Sequence, residues 1–250
     1  MKHYNPIKKY DDILLIINYN YEFLTKLNDF LGSLYSPYFP NIVFITPGNS
    51  FKESSNSSNI YNTLACPESH MGYYSYYCIK RVYDKYPSYN SYLFVMDDAF
   101  IKVWEIENLN FDIPWILTFC YVKTKIWLAS NDREKDLLER NKKWKKNLTT
   151  FFNGTVIGHG ISDFYYLPNY FVRDFIEVAK EFYNSTVFLE QAVPSIYGIL
   201  MKPIYQYIYF IALWKDDRKK WKYYLLNAHK QIVVHPIKFS DENNQKEVVK

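Results

Sequence analysis

The chain has 250 residues, 48% apolar and 22% charged, which is enough to bury one sizeable core and too hydrophobic for a disordered segment. Its formal net charge of +4, from 30 Lys and Arg against 26 Asp and Glu, is too small and too dispersed for a nucleic-acid binder, but it suits an anionic small ligand. Aromatic residues reach 20%, chiefly 26 Tyr and 18 Phe against 7 Gly, so much ring surface must be half-buried or face a ligand.

Taken in chain order, the first clear element is residues 12–18, where Ile13-Leu14-Leu15-Ile16-Ile17 is short, continuously apolar and β-branched, the pattern of a strand buried on both faces. Leu27, Phe30, Leu31 and Leu34 follow at helical spacing, and residues 41–46 repeat the buried-strand pattern up to Pro47-Gly48. This βαβ unit predicts a parallel sheet. Residues 49–60, rich in Ser and Asn, read as a surface loop. Residues 73–86 read as a helix stopped by Pro87, and residues 91–96 as a third buried strand ending on Asp97-Asp98. Beyond it, strands are predicted at 115–119 and 122–128, a solvated helix face at 142–146, and a strand at 155–158. Helices are predicted around Phe171 to Phe182 and over 188–200, and a last strand at 231–234. Residues 1–240 therefore read as one domain of α/β class, with 241–250 as a frayed polar tail.

No apolar run approaches the roughly 20 residues of a membrane span. Residues 204–214 come nearest, and Gln206 interrupts them. Cys66, Cys78 and Cys120 show no paired metal-ligand spacing, leaving one disulfide and a spare thiol as an option. Asn56, Asn147, Asn153 and Asn184 each open a glycan-acceptor pattern. In a chain so rich in Asn, chance matches are the preferred reading; localisation stays open, cytoplasmic only if the sequons are unused. If the sequons are used, it folds in the lumen of the endoplasmic reticulum or Golgi, with a signal or anchor outside this sequence.

The chemically informative stretch is Tyr92-Leu93-Phe94-Val95-Met96-Asp97-Asp98. Two adjacent carboxylates at the carboxyl end of a buried parallel strand stand where open α/β sheets bind ligands, and a hard divalent cation would offset their repulsion. The plainer alternative is a turn capped by Asp98. Glu190 is the single acid of an apolar segment, so it needs either a cationic partner, such as Lys202 or Lys238, or a role in chemistry. His235 directly follows the last strand, where a histidine is usually a satisfied surface or core residue, and precedes Lys238 by three positions; neutral imidazole also suits a divalent metal and an ammonium suits phosphate. Residues 158–168 join two glycines, Ser162, Asp163 and a run of rings, a composition that suits a sugar, although Tyr165 and Tyr166 read better as core.

This order of elements resembles glycosyltransferases of the GT-A fold, and the strand ending in Asp97-Asp98 looks like their Asp-x-Asp region. Among them the transferase domain of exostosin-like enzymes is the nearest look. The resemblance implies a mixed, mostly parallel central sheet flanked by helices. It also implies Mn²⁺ (or Mg²⁺) held by Asp98 and His235, and a nucleotide-sugar donor, expected to be a UDP-sugar, transferred to a glycan or other hydroxyl acceptor. Asp97 would support the ribose, the sugar or a metal-bound water. Lys238 would meet the diphosphate, Glu190 would act on the acceptor, Ser162 and Asp163 would line the sugar loop, and Tyr19 would stack on the base. Met96 and Ala99 flank the acidic pair, leaving two acids where relatives have three. Two other classes compete. One is a non-catalytic glycan-binding or interaction module with a degraded metal site; the other, more distant, is a metal-dependent phosphodiesterase or nuclease.

Overall fold

The computed structural model describes residues 9–20, 25–48, 61–117, 125–152, 160–200, 205–213, 220–227 and 231–248. In chain order the elements are β1 (Ile13–Asn18), α1 (Thr25–Tyr35), β2 (Ile42–Thr46), β3 (Asn62–Ala65), α2 (Cys78–Lys85), β4 (Ser91–Met96), β5 (Phe100–Ile101) and β6 (Trp115–Leu117). They continue as α3 (Lys125–Arg140), α4 (Lys142–Phe151), β7 (Phe164–Pro168), α5 (Asn169–Asn184), α6 (Leu189–Leu200), β8 (Gln206–Ile208), β9 (Phe210–Ala212), α7 (Trp221–Asn227), β10 (Val233–His235) and α8 (Glu242–Val248).

Seven strands form the central sheet in the order β3-β2-β1-β4-β7-β6-β8. β1 pairs in parallel with β2 on one side and β4 on the other, from Ile13 opposite Ser91 to Asn18 opposite Met96. β3 joins β2 and β8 joins β6 in parallel, and β7 alone runs against its neighbours. The α/β class and mostly parallel sheet expected from the sequence are therefore what the chain adopts. Every residue of β1, β2 and β4 is buried, as a strand covered on both faces requires. Each such Ile or Leu contributes about 1.5–3 kcal/mol of apolar burial.

Two consequences of this topology place the functional residues. Because β1 and β4 are parallel, their carboxyl ends share one edge, and because β7 is reversed, its amino end joins them there: the Met96 N–H donates to the Asp163 carbonyl at 2.9 Å. A second, three-stranded sheet, β5-β10-β9, sets Val234 opposite Phe100, which carries His235 back to the turn after β4.

Several expectations need correction. Residues 125–128, expected in a strand, begin helix α3. A short apolar patch heading a charged, Gly- and Pro-free segment gives the same local signal as a strand. Here the helix formers that follow, with Glu134, Leu137 and Leu138 buried, decide the outcome. The segment 73–86 is α-helical only from Cys78, with a 3₁₀ turn over Ser75–Tyr77 before it. The expected tail contains α8, held where Gln245 Nε2 donates to the Phe239 carbonyl at 2.7 Å and the Phe239 ring lies 5.6 Å from Phe30. The predicted loop at 49–60 and strand at 155–158 fall outside the described residues, as does Cys120.

Cys66 and Cys78 form a buried disulfide with Cα atoms 6.0 Å apart, so the optional bridge exists and closes on the segment before α2. Of the sequons, Asn184 is exposed, whereas the Asn147 side chain already donates to the Ile199 carbonyl at 2.7 Å; Asn56 and Asn153 lie outside the described residues. No helix among the described residues is long and apolar enough to cross a membrane.

Candidate active site

At the carboxyl edge of the sheet, β4 ends in a tight turn, with the Ala99 N–H donating to the Met96 carbonyl at 3.0 Å and the Asp97 N–H to the Asn18 carbonyl at 2.9 Å. The backbone of Asp98 is fixed from the other side, where its carbonyl accepts the Ile237 N–H at 2.6 Å. Residues 235–238 are thereby held across the acidic turn. The His235 Nε2 lies 3.0 Å from Asp98 Oδ1, and the Lys238 Nζ donates to Asp98 Oδ2 at 3.3 Å. On its far side the His235 ring points Nδ1 toward Asp163 Oδ2 at 3.8 Å, so one imidazole is bracketed by two carboxylates.

Burial and charge sort these groups. Burial drives the Asp97 carboxyl up to about 7, helped by the negative charge of Asp98 and opposed by the Asn20 N–H, which donates to Asp97 Oδ1 at 3.4 Å. Burial pushes Asp98 the same way, but the hydrogen bond and charge of His235 and the charge of Lys238 outweigh it and hold Asp98 below the usual carboxylate range. For His235, burial favours the neutral ring, yet Asp163 and Asp98 together win and raise it to about 9. Glu190, in the first turn of α6, is raised to about 7 by burial and by the charge of Asp163, and Asp163 is itself raised, chiefly by burial. The edge thus holds one carboxylate lowered by its cationic partners beside acids raised by burial, an arrangement more typical of a reactive site than of a surface ion pair.

Of the residues singled out from sequence, Asp97, Asp98, Asp163, Glu190, His235 and Lys238 meet at this edge. Ser162 lies in the same loop, but it is buried and its Oγ donates to the Gly160 carbonyl at 3.2 Å, so it shapes the loop from within. The Gly160 N–H donates to the Glu190 carbonyl at 2.9 Å and ties that loop to α6. Among the described residues no ion pair reaches Glu190, and Lys238 pairs with Asp98 instead. Tyr19 requires a correction: its side chain is fully buried, with its ring 6.0 Å from Phe44, and presents no face on which a base could stack. Tyr165 and Tyr166 are core, stacked on Phe94 at 4.5 Å and on Trp115 at 4.1 Å.

One contributor gave little sign of itself in the sequence. Gly72 sits at φ +74°, and a Cβ there would fall 2.5 Å from Asn20 Oδ1 and 3.3 Å from Met96 Cε. A side chain at this position would push into Asn20, whose N–H supports Asp97, and would strain the backbone as well. The isolated Met71-Gly72 pair was the available signal. A different trio, Cys66, Glu68 and Cys78, lies close enough to suggest metal ligands, but both sulfurs are tied up in the disulfide. A cavity of about 630 Å³ lies at the opposite edge of the sheet, near Ile13 and Ser91, and takes no part in this cluster.

No protein-family model matches the chain, and no curated protein matches it significantly. Among solved structures, the chain is similar to a glycosyltransferase involved in glycosylation of the major capsid of PBCV-1. The two share 9% identity at a TM-score of 0.47, over 95% of this chain and 98% of that one. It is also similar to the apo form of WbbM, a bifunctional glycosyltransferase, at 9% identity and a TM-score of 0.46, over 92% of this chain and 46% of that one. At such low scores neither likeness bears on the chemistry, which has to be read from the edge itself.

Proposed function

We propose that the chain is a metal-dependent glycosyltransferase of GT-A type, transferring a sugar from a nucleotide diphosphate donor, with UDP as the expected nucleotide, to a glycan or other hydroxyl acceptor. The observation that carries this reading is the single carboxylate of Asp98 facing both His235 Nε2 and Lys238 Nζ at the carboxyl edge of β4. His235 Nε2 and Asp98 Oδ1, 3.0 Å apart in a direct hydrogen bond, are a nitrogen and a carboxylate oxygen of the kind that suit a hard divalent cation once the ring gives up its proton. Asp98 and His235 would hold Mn²⁺ or Mg²⁺, which when bound supplies positive charge beside a departing diphosphate.

The chain's own residues divide the remaining work. Lys238 has an exposed amino group that can turn from Asp98 to a phosphate oxygen as a compact, hydrated charge. Asp97, whose Oδ1 accepts the Asn20 N–H, would accept from a ribose or sugar hydroxyl. Glu190, raised to about 7, is poised to orient an acceptor hydroxyl and take its proton at a carboxylate oxygen. Asp163 stands 3.8 Å from the other ring nitrogen of His235 and favours its charged form, while Ser162 braces the loop that carries Asp163.

A second reading has one observation in its favour. With His235 and Lys238 both on Asp98, the carboxylate is compensated within the chain, as a sugar-binding module without catalysis would require. Incubation with a panel of UDP-sugars separates the two, with release of UDP as the readout. The transferase reading expects turnover that needs Mn²⁺ or Mg²⁺, stops with a chelator and is lost in Asp98→Ala. Turnover that ignores both chelator and Asp98→Ala, or no turnover with any donor, contradicts it.

A further inference from the structure

The cavity at the amino edge of the sheet lies among Tyr10, Asp12, Phe111, Asp112, Tyr166 and Tyr170, and its volume of about 630 Å³ falls within the range of small-ligand sites, about 300–1,000 Å³. Its floor is aromatic and rigid. Tyr10 stacks on Phe111 with centroids 5.2 Å apart, Phe111 meets Trp115 edge-on at 4.7 Å, and the Tyr166 hydroxyl donates to the Phe111 carbonyl at 2.8 Å. The wall at 110–112 is braced where Trp115 Nε1 donates to the Asn110 carbonyl at 2.7 Å and the Asp112 N–H to Asn110 Oδ1 at 2.9 Å. The rim is braced as well: Asn90 Nδ2 donates to Asp12 Oδ2 at 3.3 Å, and the Asn169 N–H to the Asn90 carbonyl at 2.8 Å. A cleft fixed in this way loses little freedom when it is filled.

Its chemistry narrows the occupant. Asp12 and Asp112 are exposed carboxylates that repel an anion, and a wholly apolar ligand would strip their water without replacing it. Tyr170, 57% exposed, offers a broad ring beside them, and Lys9 adds one donor. A neutral pyranose satisfies all of these groups, with its C–H face on the ring and its hydroxyls donating to the carboxylates. We infer that this amino-edge cleft is a second carbohydrate site, binding neutral oligosaccharide at the end of β1 and β4 away from the acidic cluster. It requires no catalytic role for that cluster.

The test is calorimetric titration with maltotriose, cellotriose and chitotriose as probes, without nucleotide or metal. At least one should bind, and both Tyr170→Ala and Asp112→Asn should weaken it about tenfold, equivalent to about 1.4 kcal/mol. Both positions are exposed, so thermal melting of each variant should match wild type and exclude misfolding. Glu190→Gln, at the other edge, should bind the probe as wild type does. The inference is overturned if none of the three sugars binds, if affinity survives in both amino-edge variants, or if Glu190→Gln removes it.

Discussion

The sheet has carboxylates at both edges of its paired strands, Asp12 before β1 and Asp97-Asp98 after β4, and the two edges treat them differently. At the carboxyl edge Asp97, Asp163 and Glu190 are raised by burial, while Asp98 stays ionised because His235 and Lys238 attend it. At the amino edge Asp12 and Asp112 are exposed and stand beside rings. Desolvated charges respond steeply to a cation, a proton or a neighbour, whereas solvated ones respond weakly and serve recognition. In the proposed reading the carboxyl edge reacts and the amino edge recognises, with water access as the difference.

Variants at the two edges should break this contrast if it is wrong. The largest effect is expected of Glu190→Gln, which should lower transfer about 100-fold or more while leaving UDP affinity nearly unchanged, the signature of a group acting in the chemical step. Its pH profile sharpens the point. Because the active form is the carboxylate and burial raises Glu190 to about 7, kcat/KM should climb with pH toward a plateau above about 7. If that limb persists in the residual activity of Glu190→Gln, Asp97, also raised to about 7, is the titrating group instead.

The next effect is on metal affinity. His235 is held up to about 9, so at neutral pH it carries a proton that must leave before the ring nitrogen can ligate. Mn²⁺ affinity should therefore rise toward pH 9 by up to about tenfold per pH unit, with a proton released on binding, as titrations in buffers of different ionisation enthalpy would measure. An affinity flat across that window removes His235 from the ligand set. The smallest effect belongs to the amino edge. Tyr170→Ala, at an exposed position, should change unfolding free energy by less than about 0.5 kcal/mol in denaturant titration, and a larger loss would make Tyr170 part of the core.

What the sequence made legible follows from how far each signal reaches. β1, β2 and β4 could be read because an unbroken apolar run of that length, rich in β-branched and aromatic side chains, rarely settles anywhere but in a buried strand. α5 could be read because Phe171, Phe175, Val178, Ala179 and Phe182 keep helical spacing and are all buried. The carboxyl-edge residues were found one at a time, as an acid ending a strand, an acid in an apolar helix and a histidine after a strand. Their convergence depends on pairing over long separations, as with Asp98 and His235, 137 positions apart. β3 was missed because it is short and half-exposed, and β5 and β9 because strands of two or three residues exist only through their partners. Tyr19 gives no such signal, because a tyrosine at a strand end looks the same in sequence whether its ring is packed or free. The start of Lys125–Arg140 is ambiguous, because a short apolar window cannot register the helix that follows.

The central claim is that Asp98 and His235 form a cation site serving a nucleotide diphosphate, and calorimetric titration of UDP with and without Mn²⁺ tests it most directly. Wild type should bind UDP tightly only when Mn²⁺ is present, and Asp98→Ala should lose the Mn²⁺-dependent part. UDP binding that is unaffected by Mn²⁺, or that survives intact in Asp98→Ala, would contradict the account.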